Sequence, residues 1–439
     1  MTYASLEHFR DVTSRNVLAL QEAREKGRKV VGQFCIYSPL EIALAAGAVP
    51  VSLCGTKQDS IPVAEEVLPR CLCPLIKSSF GFALQDSCPY LAASDIVVAD
   101  ATCDGKKKMY ELLAAYKPVM VLQLPQIQDE RAHAYWREQY ALLVARLEQD
   151  FGVRITEEKL RAAMDLTSRL RQALKKVLDL ARRRPSPLRG LDLLDICFRA
   201  SFMPDYEQAI RLLEAIHAEL QDAPAAVAPD APRILLTGVP TGMGSHKVVQ
   251  LLEECGASVV CIDNCTCYKK VLLNMEEEGD ALDILARRYL DMHCAVMSPN
   301  PHRYSILKDL ARDFAGYLGV NLRIVEVNND IDTAIGRLQS GKYDLLAVSL
   351  TQTPERNEQL RFSKPLFQTR EVLVQNKNSQ PIKDMAQLDG KEIYIPKSAT
   401  SYKKVLQQIQ DSLNIHIYIT EIEHYSYEDL LHLVETGEI

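Results

Sequence analysis

The stretch RILLTGVPTGMGSHKVVQLLEECGASVVCID, residues 233–263, contains two short apolar runs separated by an amphipathic segment. This pattern predicts a strand over Arg233–Thr237, a helix over Ser245–Glu254 and a second strand over Ser258–Asp263. Two strands joined through a helix run parallel to each other, and such units build doubly wound sheets. The stretch therefore predicts an α/β fold.

The same alternation recurs on both sides of this unit, with an Ala/Pro-rich linker, Asp222–Pro232, directly before it. We expect an N-terminal α/β domain over residues 1–222 with a helical region over 129–220, a second α/β domain over 233–304, and a partial α/β module over 305–439. The fold class is thus two doubly wound parallel-sheet domains with a helical insertion, followed by that partial module. The further predicted strands are Val49–Leu53, Asp95–Ala99, Val119–Leu124, Ala295–Met297, Leu322–Val327, Asp344–Ser349, Glu371–Gln375, Glu392–Ile395 and His416–Ile419. The further predicted helices are 5–28, Ala281–Asp291, Leu307–Leu318 and Ile331–Ser340.

Composition and charge exclude several classes of protein. The formal net charge of −7 argues against a general affinity for nucleic acid or for anionic membranes. The first thirty residues are polar and mixed in charge, unlike a signal peptide, and the longest apolar runs are too short to span a bilayer. We therefore expect a cytoplasmic protein.

The twelve cysteines all lie at or before Cys294. Stable disulfides are rare in a reducing compartment, so buried core residues, metal ligands and redox groups remain as alternatives. Several cysteines fall just beyond predicted strands, where ligands gather in sheets of this type. The candidates are Cys35, Cys71, Cys73, Cys103, Cys265, Cys267 and Cys294. Thiolates that converge from separate loops suit an iron–sulfur cluster, whereas a zinc site would show paired C-x2-C motifs. A place in the core is expected instead for Cys54, Cys88, Cys197, Cys255 and Cys261.

A family resemblance supports this interpretation over residues 1–304. The strings GQFCIYSPLE (residues 32–41), CPLIKS (73–78), CDGKKKMYELL (103–113) and CAVMSPN (294–300) resemble the 2-hydroxyacyl-CoA dehydratase family. The third string resembles the double-cubane cluster proteins within that family. The resemblance implies an iron–sulfur cluster, [4Fe-4S] or [8Fe-9S], with Cys35, Cys73, Cys103, Cys265 and Cys294 as ligands.

The resemblance also implies how such a protein works. Members receive electrons from an ATP-hydrolysing iron–sulfur reductase and reduce or dehydrate a small substrate at the cluster, and a homodimer is expected. The loop Gly238–Ser245 fits neither the Walker A spacing nor G-x-G-x-x-G, so we expect a tight strand-to-helix turn there and ATP chemistry in the partner. The family usually has a further cysteine after the position of Asn300, and this chain has none. No catalytic residue is assigned.

Residues 305–439 resemble a different family, the bacterial solute-binding proteins of family 3, especially the domain fused to lytic murein transglycosylase F. The strings LARDFAGYLGV (310–320), TQTPER (351–356) and LRFSKP (360–365) carry this resemblance. It implies a periplasmic-binding-protein-like module in which Arg356 binds a ligand carboxylate, because a guanidinium offers a planar fork of donors. The expected ligand-binding residues are Thr351, Arg356, Ser398 and Thr400.

Three hypotheses follow. The leading one is an iron–sulfur electron-transfer or reductase component. The alternative is a module that binds an amino acid or a muropeptide through residues 305–439, with the first part as scaffold. The third is a chimera in which neither function is intact. It arises because solute-binding domains of this kind usually act outside the membrane, whereas the first part of the chain is expected in the cytoplasm.

Overall fold

The structure, a computed structural model, describes residues 3–272, 278–318, 331–343, 354–362, 372–396, 400–422 and 427–439. The chain divides into two compact units, Met1–Ile324 and Val325–Ile439, and each is described by itself. In the described part of the chain, no helix is both long enough and apolar enough to cross a membrane.

The first unit contains a four-stranded parallel sheet. Its strands are β1 (Val30–Gln33), β2 (Val49–Ser52), β3 (Ile96–Asp100) and β4 (Val119–Leu122), in the order β2-β1-β3-β4. All residues of β1 and β3 are buried, as expected for central strands covered by helices on both faces. Because β2 and β3 lie on opposite sides of β1, the strand order reverses at β1, and a crevice opens beyond the carboxyl ends of β1 and β3.

Seven helices accompany this sheet. They are α1 (Ala4–Ser14), α2 (Asn16–Glu25), α3 (Leu40–Ala45), α4 (Ile61–Ala64), α5 (Pro74–Leu84), α6 (Pro89–Ala93) and α7 (Asp104–Leu113). The single helix predicted over residues 5–28 is wrong in one respect, because the chain forms two helices that meet at Arg15. The strands predicted near residues 49, 95 and 119 are confirmed to within two residues, whereas β1 was not predicted.

The predicted helical region over 129–220 consists of four helices. They are α8 (Glu130–Phe151), α9 (Glu157–Leu180), α10 (Gly190–Ala200) and α11 (Tyr206–Leu220). The side chains of Asp129, Thr156 and Asp205 accept hydrogen bonds from backbone N–H groups at the starts of α8, α9 and α11. Gly152 ends α8 in the left-handed conformation, with φ of 65°.

The second sheet is formed by β5 (Arg233–Thr237) and β6 (Ser258–Asp263), which run parallel as predicted. Four helices belong to this part of the chain, namely α12 (Lys247–Glu254), α13 (Tyr268–Val271), α14 (Ala281–Leu290) and α15 (Pro301–Leu318). The strand predicted over Ala295–Met297 is wrong: Met297 N donates to Cys294 O at 3.3 Å, so the chain turns there.

Helix α15 spans the predicted join at residue 304 and belongs to the first unit. Its Leu310 is 8% exposed and packs in the core that contains Leu213 and Val259. Asp313 forms an ion pair with Arg182. The first turns of the second sequence module are therefore part of the first folded unit.

The second unit contains α16 (Ile331–Gln339), α17 (Pro354–Gln359), β7 (Glu392–Pro396), α18 (Thr400–Leu413), β8 (Tyr418–Ile422) and α19 (Tyr427–Thr436). Strands β7 and β8 pair in parallel, and a small core lies among Leu388, Ile395, Leu406 and Ile417. The strands predicted over Leu322–Val327 and Asp344–Ser349 lie outside the described residues. Residues 372–375 form no strand, contrary to the prediction, and Val372, Leu373 and Val374 are exposed.

A buried ion pair joins three helices of the first unit. Glu41 of α3 is fully buried, and Arg171 of α9 donates to its Oε1 at 2.7 Å. Thr167 donates to Oε1 at 2.6 Å, and the hydroxyl of Tyr289 in α14 donates to Oε2 at 2.8 Å. Burial alone would raise the pKa of Glu41, but the nearby arginine charges and these donors lower it to about 2.

We expect Glu41→Gln to lower the free energy of unfolding by about 3–5 kcal/mol, because it leaves the buried Arg171 without its counter-charge. Urea unfolding of the full chain, followed by circular dichroism, measures this change. The exposed Glu22→Gln in α2 is the matched control and should be neutral. Equal stability of both variants would contradict the role of the pair.

The pair also predicts the acid sensitivity of the fold. A carboxylate whose folded pKa is depressed stabilises the fold above its unfolded pKa and loses that contribution as pH falls. The contribution of Glu41 is on the order of 3 kcal/mol, and we expect it to disappear between about pH 5 and pH 2. The Glu41→Gln variant should lack this part of the acid transition.

Candidate functional site

The carboxyl ends of β1 and β3 place Cys35 and Asp100 side by side. Cys35 has φ of 67°, a left-handed conformation that is rare for a residue with a side chain and is characteristic of constrained sites. Tyr37 N donates to Asp100 Oδ2 at 3.2 Å and ties the Cys35 turn to β3. Asp100 is fully buried, and burial raises its pKa to about 6.

A cavity of about 170 Å³ opens next to this turn. Cys35, Cys54, Cys265 and Lys106 line it, and we call it the thiol cavity. Cys54 follows the end of β2 and Cys265 follows the end of β6, so the cavity lies where the ends of strands from both sheets meet. Three thiols from three separate loops therefore border one cavity.

A fourth thiol, that of Cys294, and the ammonium of Lys106 lie close enough to act electrostatically on the thiols of the cavity. Burial, followed by the charge of Asp100, raises the pKa of Cys35 well above its usual value. Burial raises the pKa of Cys265 to about 12, with Cys294 and Cys54 acting in the same direction. Burial lowers the pKa of Lys106, but the adjacent Cys35, Tyr110 and Asp100 outweigh it and raise that pKa. The lysine therefore remains a cation beside the thiols.

The second sheet holds Cys265 and Cys294 through a network of polar side chains. Asn264 Oδ1 accepts from the backbone N–H groups of Thr266 and Cys267 at 3.0 Å, which shapes the turn that carries Cys265. Asp263, fully buried, lies 3.1 Å from His293 Nε2 and accepts from Thr237 Oγ1 at 2.8 Å. Because these residues directly adjoin the two cysteine turns, the network fixes where both thiols lie.

Cys73 and Cys103 lie apart from this cavity. Cys103 precedes α7 and Cys73 precedes α5, and both are exposed. Their loops adjoin each other, because a Cβ on Gly105 would come within 2.8 Å of Leu72. Three of the five predicted ligands, Cys35, Cys265 and Cys294, therefore come together, and these two do not join them in this structure.

The loop Gly238–Ser245 covers the thiol cavity rather than offering a cradle for phosphate. Gly242 N donates to Ser245 Oγ at 3.1 Å, and Ser245 N donates to Gly242 O at 3.0 Å. A Cβ on Gly242 would lie 2.5 Å from the ring of Phe198, so only glycine fits there. The predicted tight turn is confirmed, and the amides of Gly242 and Ser245 are engaged within it.

The donor chemistry fits an iron–sulfur cluster, while a finished metal site is not preformed. The thiols are soft donors, Lys106 offsets negative charge beside them, and Asp100 Oδ1 is buried without a hydrogen-bond partner in the described part of the chain. Among the described residues, however, no three His, Cys, Asp or Glu side chains are close enough together to hold a metal ion.

The core interpretation of the remaining cysteines is correct for Cys197 and Cys261, which are buried. It is wrong for Cys255, which is exposed at the end of α12. Cys54 and Cys88 are partly buried and pack against the core, and Cys54 in addition lines the thiol cavity. The position of Cys54 just beyond a strand was the signal that could have identified it. Lys106 was also missed, although its place in the first turn of α7 brings it to the same sheet edge.

The predicted ligand-binding residues of the second unit are mostly outside the described part. Thr351 and Ser398 fall outside it, and Thr400 begins α18 with its side chain not described. Arg356 lies in α17 and is partly buried.

Comparison with protein families gives two matches along the chain. The family described as 2-hydroxyglutaryl-CoA dehydratase, D-component, matches residues 35–316. The family described as bacterial extracellular solute-binding proteins, family 3, matches residues 306–423. The two matches overlap within α15.

Individual relatives agree with this division. YjiM of Escherichia coli strain K12, a candidate dehydratase subunit, is 41% identical over 71% of this chain and 82% of its own length. The beta subunit of lactoyl-CoA dehydratase from Anaerotignum propionicum is 24% identical over 66% of this chain and 76% of its own. Membrane-bound lytic murein transglycosylase F of Pseudoalteromonas translucida is 37% identical over 30% of this chain, which spans only 27% of that protein.

The geometry predicts the order in which thiols react. In the metal-free protein we expect iodoacetamide to label the exposed cysteines first and the fully buried Cys197 and Cys267 last, because reaction needs access and a thiolate. The exposed set is Cys71, Cys73, Cys103 and Cys255. Time-resolved peptide mass spectrometry measures the order, and labelling in denaturant provides the control in which all twelve react. Labelling of Cys73 no faster than Cys197 would contradict the structure.

Proposed function

Because this chain belongs to the 2-hydroxyglutaryl-CoA dehydratase D-component family, we propose that it is an iron–sulfur component that reduces or dehydrates a small 2-hydroxyacyl substrate. The observation that carries the proposal is the convergence of Cys35, Cys54 and Cys265 on one cavity beside Lys106, at the point where the strand order reverses.

The proposed ligands are Cys35, Cys73 and Cys103 from the first sheet domain, and Cys265 and Cys294 from the second. A bound cluster supplies electrons at low potential. Lys106 places a positive charge beside the thiols, which favours their thiolate forms and offsets the charge of the thiolates. The network of Asp263 with His293 and Thr237 orients the turns that carry Cys265 and Cys294.

The relatives of this chain also suggest how it assembles and where its electrons come from. The relatives of this chain include subunits of multi-subunit dehydratases. We propose two doubly wound domains over 1–222 and 233–304, assembly as a homodimer, and electron supply from an ATP-hydrolysing reductase in the cytoplasm. The loop Gly238–Ser245 lacks the spacing of a phosphate loop, and the proposal therefore assigns ATP hydrolysis to the partner.

The test is anaerobic reconstitution of the full chain with iron and sulfide, followed by iron and sulfide analysis and an optical spectrum. We expect bound iron in the wild-type protein, and we expect Cys35→Ala to lose at least half of it, because a central thiol is removed. Cys255→Ala, at an exposed cysteine outside the thiol cavity, is the matched control and should keep wild-type iron. A colourless wild-type protein without iron would overturn the proposal.

The match over residues 306–423 supports a second function, the binding of a small carboxylate such as an amino acid. Arg356 is the proposed anchor, because its guanidinium can bind a carboxylate through two hydrogen bonds. We expect the most effective amino acid or muropeptide in a thermal-shift screen to lose at least tenfold in affinity with Arg356→Ala, about 1.4 kcal/mol. The neighbouring Arg361→Ala is the control. Equal losses in both variants, or no ligand for the wild type, would contradict this function.

A further inference from the structure

Three cationic side chains line the thiol cavity. Lys106, Arg171 and Lys270 all line it, and none of the described residues that line it is Asp or Glu. Arg171 is balanced by Glu41, which lies behind the wall of the cavity. Asp100, which is not part of the lining, lies close enough to Lys106 to raise its pKa. Among the described residues, Lys270 is thus the cation of the cavity on which no nearby carboxylate acts.

The two lysines have different surroundings. Lys106 lies near the thiols of Cys35 and Cys54, whose charges act on it. Burial lowers the pKa of Lys270, while the nearby thiols of Cys197, Cys267 and Cys265 act in the opposite direction. Its ammonium donates to Ser201 Oγ at 2.8 Å and to the carbonyl of Cys197 at 3.3 Å. A lysine ammonium carries three donors, so a third N–H of Lys270 remains for a ligand.

A thiolate cluster would offset the charge of Lys106, whereas the hydrogen bonds of Lys270 go to neutral oxygens, Ser201 Oγ and Cys197 O. An ammonium that is withdrawn from water without a counter-ion is costly, and an anion in the cavity would offset that cost. The hydroxyls of Ser201 and Thr266, which also line the cavity, already donate to Cys197 O at 2.9 Å and to Thr241 O at 2.7 Å. The remaining N–H of Lys270 is therefore the donor that a ligand oxygen can use here. This end of the cavity is thus equipped to hold a negatively charged oxygen.

Part of the cavity wall is apolar. It is formed by Leu170, Leu174, Phe198 and Phe202, and the two phenylalanine rings contact each other edge to face at 4.9 Å. The cavity volume of about 170 Å³ is close to that of an engineered cavity of about 150 Å³ that holds benzene. A ligand of roughly six heavy atoms fits such a volume, whereas a coenzyme A moiety does not.

From this combination, we propose that the thiol cavity binds a short-chain carboxylate whose anionic group contacts Lys270 and whose hydrocarbon part packs against Phe198 and Phe202. This inference rests on the proposed function for the identity of the reacting site and narrows its substrate class. The binding itself needs no cluster and can be measured on the metal-free protein. The carboxylate is either free or the terminal group of a short acyl thioester.

Isothermal titration calorimetry of the full metal-free chain tests the proposal with matched ligands. Butyrate and its uncharged counterpart butyramide separate the contribution of the charge from that of the hydrocarbon part. Succinyl-CoA, which ends in a carboxylate, and butyryl-CoA, which does not, test the same contribution for an acyl thioester. We expect butyrate, or succinyl-CoA among the thioesters, to bind at least about tenfold more tightly than its uncharged counterpart. Equal affinity within both pairs, or no binding at millimolar concentration, would overturn the proposal.

Two variants assign the charge to its residue. Lys270→Gln should weaken binding of the carboxylate at least about tenfold and leave the uncharged counterpart unaffected, while Lys247→Gln, an exposed lysine of α12, should change neither. Carboxylate binding that is unchanged in Lys270→Gln would overturn the proposal. Iron content after reconstitution is measured on the same variant, so that loss of ligand binding with normal iron is distinguished from failure of the cluster proposal.

A measurement on the wild-type protein keeps the test independent of the folding of the variant. Acetylation of lysines by an amine-reactive reagent is followed by peptide mass spectrometry with and without the carboxylate ligand. We expect the ligand to slow modification of Lys270 but not of Lys247. Equal rates at Lys270 with and without a ligand that binds would place the ligand elsewhere and overturn the proposal.

Discussion

The buried pair of Glu41 and Arg171 is the constraint on which the first unit depends. Its carboxylate receives hydrogen bonds from α9 and α14 while belonging to α3, which directly follows the Cys35 turn. A buried charge tolerates little displacement, because separation from its partner leaves it without water or a counter-ion. The helices are thereby held at fixed positions relative to the ends of β1 and β3, and Arg171 in turn becomes part of the cavity wall.

The shape of the thiol cavity depends on this buried ion pair and on the order of the strands. Because β1 lies between β2 and β3, the turns after these strands open a crevice that no helix fills. Cys35 and Cys54 enter the crevice from the first sheet, and Cys265 enters from the second. The strained conformation of Cys35 is maintained by Asp100, which accepts from Tyr37 N and so ties the turn to β3.

The sequence predicts much of this arrangement, and its failures have physical causes. Apolar periodicity locates β3, β5 and β6 because buried parallel strands are continuously apolar, but β1 is missed because Gly32 and Gln33 interrupt its apolar run. Cys54 is taken for a core residue because position alone does not distinguish a thiol that faces a cavity from one that faces a core. The cations of the cavity, Lys106, Arg171 and Lys270, come from segments that only the tertiary fold brings together.

Charge connects the two proposals for the cavity. Glu41 compensates Arg171, and Asp100 acts on Lys106 from behind the lining. The thiols of Cys35 and Cys54 also lie near Lys106, whereas Lys270 keeps an N–H donor for a ligand. A cluster and a carboxylate would therefore neutralise different lysines and would not compete for the same one. Because two anions in a cavity of low dielectric constant repel each other, neither assists the binding of the other, and each depends on its own lysine.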